Sequence, residues 1–584
     1  MIPVPFRPGP RLALLAAALL AGCAAGGAPP GPSLMASGGE AGPMAARGEA
    51  SAPEVPRGSF GPYLAGLVAE RESDSAVAAE ELAEALRRDP GQPEVLRRAF
   101  TAAVMDGRPE ATRLARSLPQ DQLASLLLAG ADAQAGRWDR AEQRLRSLPR
   151  QGAAQILQPL LIAWAQAGRG ATDAALTTLR PWVEQGRLRG LAALHAAMIA
   201  DLAGRPRDAE RLIRIAITEA PDPNLRLVQI AAGILARAGR EADGARLFDV
   251  MAQGQDDVAL AASPALRRAA LTGRAVASPV EGMAEAELAL GAALRGQGSP
   301  ELSLILARLS LRLRPGFTAA LLLGAEALAD DRHPEAGLRL LAAVPENDEL
   351  APLAALRRGL LLDSADRTAE GLAVLARLAE AQPNAAQAPA RMGDILRARG
   401  RFAEAAAAYD QSLARASRAG QPSWSLLYAA GIALERSGRW PEAEGRFQEA
   451  LKLSPEQPYV LNYLAYTWAD RGERLPEARR MLERAAQRQP QDGNIADSYG
   501  WVLFRLGDLR GAVKELERAA ELEPRNATVN DHLGDAYWAL GRRVEARYQW
   551  SRALDLGPDP VEVPRIQAKL HDGTPAPVSA SAAR

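Results

Sequence analysis

The sequence is nearly empty of the residues that build covalent or metal chemistry. Of 584 residues, one is cysteine, Cys23, so no disulfide can form within the chain and stability must come from packing. Lysine is almost absent as well. Lys452, Lys514 and Lys569 are the only ones, and 70 basic residues, mostly arginine, balance 70 acidic ones. A neutral chain has no electrostatic footprint for nucleic acid. The four histidines, His195, His333, His532 and His571, stand far apart and none has a partner at metal-ligand spacing. No Walker phosphate loop, dinucleotide-binding glycine motif or G-x-S-x-G elbow occurs. Carboxylate pairs such as Glu442 with Glu444 fall at a helix start, where they favour the macrodipole. The expectation is therefore no enzyme, no catalytic residue, no metal and no cofactor.

Long apolar runs are missing too. Leu12–Leu20 is an uncharged stretch of nine Leu and Ala residues, too short for the roughly 20 that a spanning helix needs. Arg7 and Arg11 precede it, which is the pattern of a cleaved export signal. Leu20-Ala21-Gly22-Cys23 follows and resembles the lipobox of bacterial lipoproteins. The resemblance implies cleavage before Cys23, a diacylglycerol on its thiol and acylation of the new amino group. Ala24, where aspartate would favour inner-membrane retention, points to the outer membrane, with the body on its periplasmic face. The membrane is then reached through the lipid alone. Residues 24–58 are rich in Ala, Gly, Pro and Ser without an aromatic. They read as a flexible tether with a typical span of about 30 Å.

What the sequence has is internal repetition. Pro455, Pro490, Pro524 and Pro558 are spaced 35, 34 and 34 residues apart. In that register Gly431, Ala465, Gly500 and Gly534 align, as do Leu434, Trp468, Leu503 and Tyr537. The turn positions Gly438, Gly472, Gly507 and Gly541 follow, then Ala443, Ala478, Ala512 and Ala546. Phe447, Leu482, Leu516 and Trp550 are the bulky members of the second half, and Ala450, Ala485, Ala519 and Ala553 close the unit. Each unit reads as two helices: an apolar stripe, a glycine that ends the first helix, small contacts around one large residue, and a proline stop. Neither helix buries its face alone, so units must stack. This pattern resembles the tetratricopeptide (TPR) repeat. The fold expected is all-α, a TPR superhelical solenoid of about a dozen helix-turn-helix repeats. The expected layout is a lipoprotein signal at 1–22, lipidated Cys23 and tether over 23–58, and a degenerate amino-terminal lobe at 59–252. An irregular break at 253–283, marked by Pro264 and Pro279, precedes a second lobe at 284–566 and a disordered tail at 567–584. The recurring glycines and prolines exclude a sustained coiled coil.

Aromatics gather late: six of nine tryptophans and eight of nine tyrosines follow residue 400. Trp468, Tyr537, Phe447 and Trp550 occupy core positions of the repeat. The TPR resemblance implies that a neighbouring stripe of each first helix lines a concave partner-binding surface. Here that stripe holds Tyr428, Asn462, Tyr466, Asp497, Trp501, Phe504, Arg505, Asp531, Asp535 and Trp538. Aromatic rings among Asn, Asp and Arg suit capture of a polypeptide. The stretches around Leu461–Tyr466, Asp497–Trp501 and Asn530–Asp535 are similar to a group of bacterial TPR lipoproteins. Its best-understood member is an outer-membrane adaptor that activates a periplasmic C-terminal processing protease and helps it degrade cell-wall hydrolases. The resemblance implies a scaffold for such a protease, its substrates or both. The other reading is an assembly factor of an envelope secretion or polysaccharide-export complex.

Overall fold

The computed structural model describes residues 58–573 apart from 150, 187, 221–222, 253–256 and 262. The signal at 1–22, Cys23, the tether as far as residue 57 and the tail beyond 573 lie outside the described residues. Within them are thirty α-helices, one short 3-10 helix and no strand. The solenoid expectation holds, and its elements follow from local chemistry. The turn glycines Gly400, Gly438, Gly472, Gly507 and Gly541 all adopt the left-handed conformation, with φ of +72 to +82°. The next residue's N–H reaches back to a first-helix carbonyl, as in Asp508 to Leu503 at 3.0 Å and Arg542 to Tyr537 at 2.9 Å. That closure ends one helix and aims the chain into the next. Side-chain caps start others: Asp492 accepts from Asn494 and Ile495, Asp508 from Gly511, and Asn526 from Thr528 and Val529.

Two compact units divide the described residues, the first ending at Val374 and the second beginning at Leu375. The expected boundary at 253–283 is not where the division falls. Pro264 and Pro279 do not break helices; each opens one, Pro264–Thr272 and Pro279–Gly296, behind capping serines Ser263 and Ser278. Helices after that stretch fold back on earlier ones in the same unit. A side chain at Gly282 would collide with the Trp164 ring. Arg226 Nε donates to Glu285 at 3.0 Å, Arg308 Nε to the Met105 carbonyl at 2.7 Å, and Gln134 Nε2 to the Arg312 carbonyl at 2.7 Å. Residues on both sides of 253–283 thus share one core.

The second unit is the regular one. Its helix pairs are Gln387–Ala398 with Phe402–Arg418, Trp424–Arg436 with Trp440–Leu453, Pro458–Arg471 with Leu475–Arg488, Gly493–Arg505 with Leu509–Leu522, and Ala527–Ala539 with Arg543–Asp555. Inside a pair, the small residue of the first helix sits against the bulky residue of the second. A Cβ added at Gly393, Gly431, Gly500 or Gly534 would stand within 3.0 Å of Tyr409, Phe447, Leu516 or Trp550 respectively. The repeated alanines of the second helices are fully buried, as are Phe447 and Trp550. A last helix, Val563–Asp572, follows the pairs. It overturns part of the tail expectation: the segment from 567 begins inside a helix whose Ile566 and Lys569 are buried.

Candidate partner-binding surface

The first helices of the second unit carry the stripe that the repeat pattern assigned to a concave surface, and the structure places its ten members in four groups. Tyr428 is half-buried, 6.0 Å from the Phe447 ring and 5.9 Å edge-on from Tyr463. Burial pushes its phenol up to about 12. Asn462 is half-buried in the next first helix, and its side-chain oxygen has no hydrogen-bond partner among the described residues. Neither residue joins the cluster formed further on.

That cluster is centred on His532. Its Nδ1 lies 3.0 Å from both carboxylate oxygens of Asp497 in the preceding first helix. Trp501 stacks on the imidazole at 4.2 Å and 17°, and Phe504 stacks on Trp501 at 5.1 Å. Tyr466, from two repeats earlier, approaches His532 to 6.4 Å. Burial opposes a charge on the imidazole, but the Asp497 carboxylate beside it, with Asp531 and Asp535 nearby, raises its pKa above the ordinary value. The second buried histidine behaves oppositely. His195 has no carboxylate beside it, accepts from Trp164 Nε1 at 3.0 Å, and is driven by burial down to about 3, which leaves it neutral.

Beside His532 lies an ionic floor. Asp531 and Asp535 project from Ala527–Ala539 one helical turn apart, and Lys569 Nζ donates to both at 2.7 Å. Arg565 donates to the second oxygen of Asp531 at 2.8 Å, and Trp550 Nε1 to Asp535 at 3.0 Å. Burial raises the Asp535 pKa, and the Lys569 ammonium opposes that rise.

Trp538 is half-buried beneath the guanidinium of Arg543, 3.7 Å from its ring centre. Arg505, also half-buried, donates to the Asp470 carbonyl at 2.8 Å. The expectation that the stripe stands open therefore needs correction. Asp497, Trp501, Phe504, Asp531 and Asp535 are buried, and the other five are half-buried. The cause is mutual coverage. Successive first helices bring Tyr466, Trp501 and His532 together, and Val563–Asp572 covers Asp531 and Asp535.

His532, Arg565 and Lys569 were not among the residues singled out as partner-binding. The signal for Lys569 was present: it is one of three lysines and stands four residues after an arginine. Arg484, Arg518 and Arg552 also escaped notice, though they recur every 34 residues. Each donates to the carbonyl of the preceding inter-repeat proline, Pro455, Pro490 and Pro524, at 2.8–3.0 Å.

Tetratricopeptide-repeat family models match residues 384–456 and 428–493, and a TPR-repeat model matches 500–541. Residues 384–493 and 500–541 carry tetratricopeptide repeats. A TPR repeat-containing protein of Pseudomonas aeruginosa is 34% identical over 88 residues, which is 15% of this chain and 15% of that protein. Among solved structures, yeast Tom70 is similar at 12% identity over 77% of this chain and 95% of its own, with a TM-score of 0.34. The Cut9–Hcn1 hetero-tetramer of the APC/C gives 13%, 88%, 96% and 0.36 in the same terms. YrrB, a TPR protein with an unusual peptide-binding site, gives 21%, 33%, 97% and 0.27.

Proposed function

We propose that this protein is a membrane-anchored periplasmic scaffold that holds a C-terminal processing protease, its cell-wall hydrolase substrates, or both. TPR repeats support protein–protein interaction in general. The observation that carries the reading here is the run of tetratricopeptide repeats over residues 384–493 and 500–541. Of the stripe, half-buried Tyr466, Arg505 and Trp538 keep part of their surface open, and rings beside a charge suit recognition of a polypeptide. Lipid attachment at Cys23 would concentrate both partners at the outer membrane. Bringing two weak binders to one tethered scaffold raises their effective concentration without any new contact.

The test is affinity capture with the full chain in detergent from a periplasmic and membrane extract, followed by identification of what is bound. Recovery of a C-terminal processing protease or wall hydrolases is expected. Recovery of an export or assembly complex with no protease would replace this reading by that of an envelope assembly factor.

A further inference from the structure

The repeats make surface positions comparable as well as core ones. In the last helix pair, Val544 stands two residues before the buried Ala546 and Tyr548 two residues after it. Arg510 and Lys514 hold the same places around Ala512, and Pro476 and Arg480 around Ala478. All six are exposed, so facing solvent belongs to the position and not to the end of the stack. What changes is the chemistry. The two outward places become apolar in the last pair, with Val544 80% and Tyr548 63% exposed. The first position of the second helix changes in the opposite sense: Trp440, Leu475 and Leu509 give way to Arg543.

Single exposed apolar residues are ordinary on a protein surface. Here they share a helix with two uncommitted cations. Arg543 and Arg547 both lie over the Trp538 ring, at 3.7 and 5.5 Å from its centre. Neither guanidinium meets a carboxylate among the described residues, and Glu545 between them is paired with Arg542. A guanidinium resting on an aromatic face keeps its in-plane N–H donors available to a second partner. The chain after Gly573 holds no aspartate or glutamate to supply one. Tyrosine, tryptophan and arginine are also the residue types in which binding energy concentrates at interfaces.

We infer that the outer face of Arg543–Asp555, formed by Arg543, Val544, Arg547 and Tyr548, is a docking surface for an acidic segment of a partner polypeptide. A carboxylate of that segment would meet the two guanidiniums, and an apolar side chain would cover Val544 and Tyr548. The inference rests on the scaffold reading and gives it a second surface, on a second helix and apart from the stripe of the first helices. Charge selects the occupant: a second copy of this face would set arginine against arginine, which like-charge repulsion disfavours.

Photo-crosslinking tests this on the full chain, with p-benzoylphenylalanine in place of Tyr548, a position exposed enough for the fold to tolerate it. The protein is irradiated in the periplasmic and membrane extract used for affinity capture, and the crosslinked segment is identified by mass spectrometry. An adduct with a segment of another polypeptide that carries aspartate or glutamate is expected. Its yield is expected to fall about ten-fold when Arg543→Glu and Arg547→Glu are added together. Arg480→Glu with Arg510→Glu makes the same change of net charge on the outward face of earlier repeats and is expected to leave the yield unchanged. Circular dichroism checks that every variant is folded. No adduct, an adduct with residues 574–584 or with a second copy, a crosslinked segment without acidic residues, or an equal loss in both double variants would each overturn the inference. Where affinity capture still succeeds in any of those cases, only this surface falls and the scaffold reading stands.

Discussion

His532 is the residue whose chemistry departs most from what its position in a repeat suggests. Buried, it is held against Asp497, with Asp531 and Asp535 close by and Trp501 over its face. Its folded pKa is raised above the ordinary 6.5, so the folded state binds the proton more tightly than the unfolded chain. The stabilisation is then fully present below about pH 6.5 and is lost as pH rises through the folded value. The raised Asp535 pKa acts with the same sign at its lower pH range. Urea denaturation of wild type and His532→Gln is expected to show the larger gap near pH 6 and a shrinking gap as the solution becomes basic. A gap that widens with pH would mean that the imidazole is neutral in the fold. None of this was legible in the sequence, because the partners of His532 lie 31 residues or more away or on its own helix, in a stripe read as open. The repeat pattern sets the rings beside the core positions of their own repeat, yet Trp501 and Phe504 are buried. Trp501 is covered by His532 of the neighbouring first helix, which a single repeat's pattern does not describe.

Pairs of helices were far more legible than single side chains. The aligned small residue Gly534 meets the aligned bulky residue Trp550, and Gly431 meets Phe447 in the same way. Spacing alone sets this contact, because two helices joined by a short left-handed turn bring the same positions together in each unit. Gly534→Arg is expected to force the Ala527–Ala539 and Arg543–Asp555 helices apart and to cost about 1–3 kcal/mol or more. Gly445, on Trp440–Leu453, has open space where a Cβ would stand. Gly445→Arg is therefore the matched control, expected to be neutral or to gain up to about 1 kcal/mol in helix propensity. Thermal melts followed by circular dichroism separate the two. Equal melting temperatures would show that the close approach at Gly534 does not exist. Elements that break the 34-residue pattern were less legible: Pro264 and Pro279 read as interruptions yet start helices, since proline is disruptive inside a helix and favourable at its first turn.

At the scale of the whole chain, attachment to a membrane has few physical routes. No helix among the described residues is long and apolar enough to cross a bilayer. The chain's formal charge is zero and its lysines number three, so attraction to anionic lipid is weak. A covalent lipid at Cys23, the single thiol, is the route that the residues before it favour. One acyl chain holds a protein only marginally, whereas two or more give stable anchoring. The full chain expressed in a Gram-negative cell is thus expected to take up labelled palmitate and to sediment with the outer membrane. Cys23→Ala is expected to lose the label and to leave the outer-membrane fraction, with the helix content of the body unchanged. A Cys23→Ala protein that stays with the outer membrane would place the attachment in the folded body, and the tethered-scaffold reading would fall with it.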